Sequence, residues 1–204
     1  CKGRGGCERC EGFGKLTKDS VQELVGRVAM PRFKARRNKF HGAGREDMDV
    51  LMLGEGRPFV VELVKSKRHN VDLEELTADI NRRAEGRMKI SLLQLSSKAR
   101  VVELKEAKCS KEYRAQLVFE NEVDFQTMAD VLLAQDELVL QQRTPTRVAH
   151  RRGDLVRQRC VKVTGAEVEN GVLLVQLEAE HGTYIKELIS GDDGRTQPSL
   201  TSLL

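Results

Sequence analysis

The dipeptide Asn170-Gly171 constrains this chain more than any other pair of residues. It joins two alternating, β-rich runs, 156–168 and 172–179. The type I′ turn of a two-residue hairpin needs positive φ at both central positions, and Asn-Gly supplies it at little steric cost. An antiparallel hairpin is therefore expected there. Alternating runs at 112–120 and 138–142 read as further strands, the second stopped by Thr144-Pro145. The apolar run 90–95 also reads as a strand. Strands at 46–53 and 59–64, joined by a turn at Gly54-Glu55-Gly56, make a second predicted hairpin.

Helices are marked by their caps. Ser20 followed by Glu23 is a capping box, predicting a short helix through Val25. Past Pro31, the basic stretch to Phe40 reads as loop or edge strand. Asp72 caps a helix over 72–85 with Leu73, Leu76 and Ile80 on one face. Helical spacing recurs over 123–133, and a short helix over 183–190 opens behind Gly182. Strands outnumber helices and hairpin turns join them, so the predicted class is α+β with a largely antiparallel sheet and flanking helices.

No apolar run approaches the roughly 20 residues that span a bilayer. No signal peptide is visible, so a soluble, cytoplasmic protein is expected. The chain begins at Cys1 rather than Met, and a longer parent protein is expected. Its net charge of +4 is too small to name a partner, but the charge is concentrated. Arg27, Arg32, Lys34, Arg36, Arg37, Lys39 and Arg45 follow one another with no acid between them, and then Glu46, Asp47 and Asp49 arrive together. Cations serve phosphates; a carboxylate among them suits chemistry on a nucleotide. Asp47, in Gly44-Arg45-Glu46-Asp47, is the candidate nucleophile. Strand alternation puts Asp49 on the same face and does not separate the two.

A second basic block holds Arg143, Arg147, His150, Arg151, Arg152, Arg157, Arg159 and Lys162. On a strand, its alternate members would form a stripe able to follow a phosphate backbone. Arg147, His150, Arg151 and Arg152 are taken as candidate substrate contacts. Tyr113 and Tyr184 are the only tyrosines. Either ring can stack on an extruded base, and either hydroxyl can move a proton, as set against ordinary core packing. Lys186 reads as half of a solvated pair with Glu187, or as the cation that keeps a carboxylate ionised. Cys7-Glu8-Arg9-Cys10 is a CxxC pair, with Cys1 as a third thiolate. That pattern suits a structural zinc ion whose fourth ligand would lie upstream. The glycine-rich texture around these cysteines also occurs in cochaperone zinc modules.

Read in order, Asn38-Lys39-Phe40-His41-Gly42-Ala43-Gly44-Arg45-Glu46-Asp47-Met48-Asp49-Val50, Leu53-Gly54-Glu55-Gly56-Arg57-Pro58-Phe59, Arg143-Thr144-Pro145-Thr146-Arg147-Val148-Ala149-His150-Arg151-Arg152, Gly182-Thr183-Tyr184-Ile185-Lys186-Glu187 and Gly191-Asp192-Asp193-Gly194-Arg195-Thr196-Gln197-Pro198 closely resemble one family. It is the archaeal and eukaryotic tRNA pseudouridine synthase family that modifies T-loop uridines, at tRNA position 54 and/or 55. The resemblance implies the pseudouridine synthase fold, α+β with a long mixed sheet and a central RNA-binding cleft. It implies that Asp47, rather than Asp49, is the nucleophile and that Arg45 helps to extrude the target nucleotide. Tyr113 would stack on the uracil and take part in proton removal. Lys186 would pair with Asp47, and Ile185 with Leu203 or Leu204 would line the pocket. Leu51 departs from the family pattern, in which an arginine follows Asp-Val.

The same resemblance divides the chain into 1–19, the tail of an amino-terminal Cys-rich zinc and RNA-binding domain, and 20–204, the catalytic domain, with further sequence expected beyond residue 204. It implies tRNA, through its T arm, as the partner, with no membrane or protein partner. No cofactor is expected for the chemistry. Eukaryotic relatives would also be nuclear. The alternative is a non-catalytic RNA-binding module on the same scaffold.

Overall fold

The computed structural model describes residues 19–44, 50–119, 123–135, 137–150 and 152–204. The chain divides into two compact units, Cys1–Ala107 and Lys108–Leu204. The expected catalytic domain, 20–204, spans both.

In the first unit, α1 (Val21–Arg32) begins at the expected capping box, with the Ser20 side chain accepting from Glu23 N–H and the Glu23 carboxylate accepting from Ser20 N–H. The helix does not stop near Val25. It continues through Pro31, which sits in the last turn. The basic stretch after it is a strand, β1 (Arg37–Gly42). Its partner is β2 (Phe59–Val64), antiparallel, with Arg37 opposite Val64 and Gly42 opposite Phe59. The predicted pairing of 46–53 with 59–64 is thus corrected. Residues 50–53 are not strand, residues 45–49 lie outside the described set, and β2 takes the cationic strand instead. Phe40 and Phe59 stack across the ribbon, with ring centroids 5.2 Å apart.

Asp72 caps α2 (Leu73–Ala84) as expected, accepting from Glu74 and Glu75 N–H. Val25, Val28 and Ala29 of α1 meet Leu76 and Ile80 of α2 and the inner side chains of the ribbon in one core. The run 90–95 forms no strand. Ile90 joins that core, whereas Leu92 is 92% exposed. A helix that apolar spacing did not signal, α3 (Lys98–Glu106), closes the unit and buries only Leu104.

The second unit is built on a five-stranded sheet: β3 (Lys111–Leu117), β4 (Leu138–Arg143), β5 (Val156–Glu169), β6 (Val172–Ala179) and β7 (Thr196–Gln197). Their order is β3-β6-β5-β4-β7, and every pairing is antiparallel. The expected hairpin turn is present: Asn170 has φ 51° and Gly171 φ 76°. A bulge between Val163 and Gly165 bends β5, which adds twist to the sheet. Leu173, Val175, Leu177 and Ala179 alternate along β6 and bury one face of the sheet. That face packs with Ala129 and Leu132 of α4 (Phe125–Leu133), Leu188 of α6 (Ile185–Ser190) and Leu200 of α7 (Leu200–Leu203). A single turn, α5 (Thr146–Ala149), follows β4. Among the described residues, no helix is long and apolar enough to cross a membrane.

Candidate active site

Tyr113 lies on β3, an edge strand whose inner positions are Tyr113, Ala115 and Leu117. It stands opposite Leu177 of β6 and is half-buried against the core of the second unit. Ile185, Leu203 and Leu204 pack half-buried on that same core. Tyr113, Ile185, Leu203 and Leu204 thus each pack on the one apolar core of the second unit. Lys186 follows Ile185 and is exposed on the first turn of α6.

Tyr184 occupies the residue before α6 and is held by its backbone. Its N–H donates to Gln142 Oε1 at 2.7 Å, and Gln142 Nε2 donates to Tyr184 O at 3.0 Å. Gln142 Nε2 also lies 3.3 Å from Thr196 Oγ1. This amide is 2% exposed. One buried side chain therefore binds both faces of a single peptide position and sets where α6 begins. The Tyr184 hydroxyl accepts from Arg152 Nη1 at 3.1 Å. Sequence reasoning missed Gln142. Its signal is a polar residue on the buried phase of β4, which otherwise carries Leu138 and Leu140. Replacing Gln142 with methionine keeps the volume but strands the Tyr184 N–H and C=O, and is expected to cost about 1–3 kcal/mol. Chemical denaturation followed by circular dichroism checks this; a variant as stable as the parent would mean that Tyr184 is held by something else.

The second basic block is not a solvated stripe. Arg143 donates twice to Asp154, at 2.9 and 2.6 Å, and Arg195 reaches the same carboxylate at 2.7 Å. The Arg143 guanidinium holds the Asp154 carboxyl below its ordinary value, against partial burial, with Arg195 adding to the effect. Arg195 also donates to Thr144 O at 3.1 and 2.6 Å. Arg147 makes two hydrogen bonds to Glu187, whose side chain is 5% exposed. Glu187 is accordingly buried and bridged to Arg147 rather than solvated. Arg159 lies near Glu180, and Arg157 donates to Thr144 Oγ1 at 3.3 Å. His150 and Lys162 are exposed.

The Gly191-Asp192-Asp193-Gly194 turn explains its own composition. All four residues have positive φ, at 80°, 46°, 55° and 81°. Glycine, and to a lesser degree aspartate, enters that region most readily. A Cβ on Gly191 would also meet Ser199 Oγ at 2.9 Å. The turn carries Asp192 to the start of α5, where it accepts from Thr146 N–H at 2.8 Å, a cap that Pro145 cannot provide. The turn also delivers Arg195 beneath Thr144.

Arg45, Asp47, Arg151 and the cysteines Cys1, Cys7 and Cys10 lie outside the described residues. Among the described residues, no three His, Cys, Asp or Glu side chains are grouped to hold a metal ion. A half-buried phenol and aliphatic side chains on one core suit a flat, uncharged ring. The class that results is an antiparallel α+β protein with Tyr113 half-buried on the core of its second unit. The family model described as "Pus10, C-terminal" matches residues 8–204, and the chain belongs to that family. Among similar relatives are proteins named tRNA pseudouridine synthase Pus10. That of Halorubrum lacusprofundi is 42% identical over 210 residues, covering 100% of this chain and 49% of its own length. That of Methanopyrus kandleri is 42% identical, covering 100% of this chain and 47% of its own length. That of Archaeoglobus fulgidus is 44% identical, with 98% and 55% covered. This chain spans about half the length of these curated relatives.

Proposed function

We propose that this chain is the catalytic portion of a tRNA pseudouridine synthase acting on the uridine at T-loop position 54 and/or 55. The observation that carries the reading is the family match over residues 8–204, whose curated relatives bear that name. The shared core beneath Tyr113, Ile185 and Leu203 supports it. In this reading the T arm docks on the protein and the target uridine leaves its stack, at a few kcal/mol offset by phosphate contacts. Arg45 assists the extrusion. His150, Arg151 and Arg152 contact the RNA, while Arg147 acts by orienting α5 and α6 through Glu187.

Asp47 attacks the anomeric carbon, or assists glycal formation there, and the bond from N1 to C1′ breaks. Lys186 keeps the carboxylate ionised. The freed uracil turns between Tyr113 and the aliphatic side chains. A bond then forms between C5 and C1′ as the bond from C1′ to the Asp47 carboxylate, where one was made, breaks and frees the carboxylate. The C5 proton departs to a base, with Tyr113 taking part, and N1 gains a proton. Atoms and electrons balance within the nucleotide, so this sequence of steps draws on no redox partner. Cys1, Cys7 and Cys10 form a thiolate set chemically suited to a structural zinc ion, which would order the segment they occupy and take no part in the reaction. The work would be done in the cytoplasm, where tRNA is matured.

The test is incubation of the full-length protein with unmodified transcript tRNA, followed by pseudouridine mapping. New pseudouridine in the T loop is expected. Tight tRNA binding with no new pseudouridine would instead favour a non-catalytic RNA-binding module.

A further inference from the structure

The first unit sorts its cations into two groups. Arg27 pairs with Asp19, Arg32 with Glu75 and Asp79, Lys39 with Glu62, and Arg87 with Asp19. The Lys39 ammonium holds the Glu62 carboxyl below its ordinary value, against partial burial. At Asp79, burial pushes the carboxyl up, and the guanidinium groups of Arg32 and Arg82 together outweigh it.

The other group is exposed and, among the described residues, meets no carboxylate: Lys34, Arg36, Arg37, Lys65, Lys67 and Arg68. The fold brings them together at one end of the β1–β2 ribbon, although half come from a segment some thirty residues later. Arg36 N–H donates to Val64 O at 3.1 Å. Phe33 O gathers Lys67 N–H at 3.2 Å, Arg68 N–H at 3.1 Å and Ser66 Oγ at 2.8 Å. Beside this knot runs a groove of about 830 Å³ lined by Gln22, Met30, Asn38, Lys34 and Lys67, among others.

A second observation is independent of the charge. Lys34 has φ 49° and Lys65 φ 56°. Lys34 is the left-handed residue that closes α1, where Ala35 N–H donates to Met30 O at 2.9 Å. Lys65 makes the corresponding turn out of β2. These two turns set both lysines at the same end of the ribbon. The exposed side chains of 65–70 are Lys65, Lys67, Arg68, His69 and Asn70, with no Phe, Tyr, Trp or aliphatic side chain among them.

From this convergence we propose that the end of the β1–β2 ribbon is a binding surface for the phosphodiester backbone of RNA, with Lys34, Lys65, Lys67 and Arg68 as its principal contacts. It rests on the tRNA reading above for the identity of the RNA. Each cation that neutralises a phosphate releases counterions, so removing it flattens the dependence of log affinity on log salt by roughly 0.7–0.9. The experiment compares full-length protein with the K34Q/K65Q/K67Q/R68Q variant in filter binding to unmodified transcript tRNA between 50 and 200 mM salt, with folding checked by circular dichroism. A slope shallower by about 3 and an affinity at least about 30-fold weaker at low salt are expected. A K34R/K65R/K67R variant is expected to bind like the parent, as is K39Q, whose cation is already paired. Parental affinity and slope in the quadruple variant would overturn the proposal, as would anionic vesicles being bound through this surface while tRNA affinity stays unchanged. If the quadruple variant misfolds, the three single Lys→Gln variants carry the same test, each with a slope loss of roughly 0.7–0.9. Because binding is read without catalysis, absence of pseudouridine formation in the parent would sink the enzymatic reading and leave this result interpretable.

Discussion

Asp47→Asn is expected to lower pseudouridine formation by about 10⁴-fold or more, the scale on which loss of a nucleophile is felt when no other group can replace it. Asparagine keeps the shape of aspartate, but its amide can neither attack the anomeric carbon nor stabilise positive charge developing there. A carboxylate repels phosphate, so removing this negative charge from a cationic segment should not weaken RNA binding. Affinity for unmodified tRNA should therefore stay within about threefold of the parent, a fraction of the tenfold that 1.4 kcal/mol represents. Single-turnover assays with excess enzyme, read by pseudouridine mapping, separate the two effects. Substantial activity in the variant would remove Asp47 from the mechanism. Asp49→Asn, measured in parallel, would then show whether the carboxylate two residues on is the one that reacts.

Leu177→Ala is expected to destabilise the second unit by about 3 kcal/mol, within the range for a buried leucine whose cavity closes only in part. Leu177 is 1% exposed on β6, between β3 and β5, opposite Tyr113 on one side and Val163 on the other. For a unit of this size the loss corresponds to a fall in melting temperature of roughly 12–24 °C. The chain has no tryptophan, so circular dichroism is the natural readout. Activity below the melting transition should fall too, because the cavity opens beneath the tyrosine taken to hold the uracil. Val139→Ala, at a side chain 44% exposed on β4, is the control and should change stability by less than about 0.5 kcal/mol. Equal effects of the two substitutions would show that the β6 face is not the core of the unit.

Much of the secondary structure was legible because its signals are local. The Ser20–Glu23 and Asp72 caps, the Asn170-Gly171 turn and the alternation of β3 and β4 each involve groups a few residues apart. Their geometry follows from the covalent chain. The reading failed where an element's fate depends on a distant partner. The apolar run 90–95 has strand-like composition but no neighbouring strand to receive it, and it stays irregular with Leu92 in solvent. The basic run 37–42, legible as loop or edge strand, is a strand, but its composition did not reveal that β2 is its partner. The short helix read through Val25 instead runs on to Arg32, with Pro31 accommodated in its final turn.

The candidate site divides along the same line. Its cast of residue types, and the family to which the chain belongs, were carried by the ordered motifs. The assignment of individual cations was not: a guanidinium bonded to Asp154 or Glu187 and one open to solvent are spelled alike. Nor does the sequence of β4 reveal that Gln142 holds the backbone of a residue 42 positions away. By itself the sequence determined the turns, the caps, the antiparallel α+β class and the family, all through contacts between near neighbours or through motif order. Tertiary structure alone decided which strand β2 pairs with, which cations are already occupied, and that Lys34 and the 65–68 segment share one surface. Those outcomes depend on which distant groups compete for the same partner, and that competition is resolved only when the chain is folded.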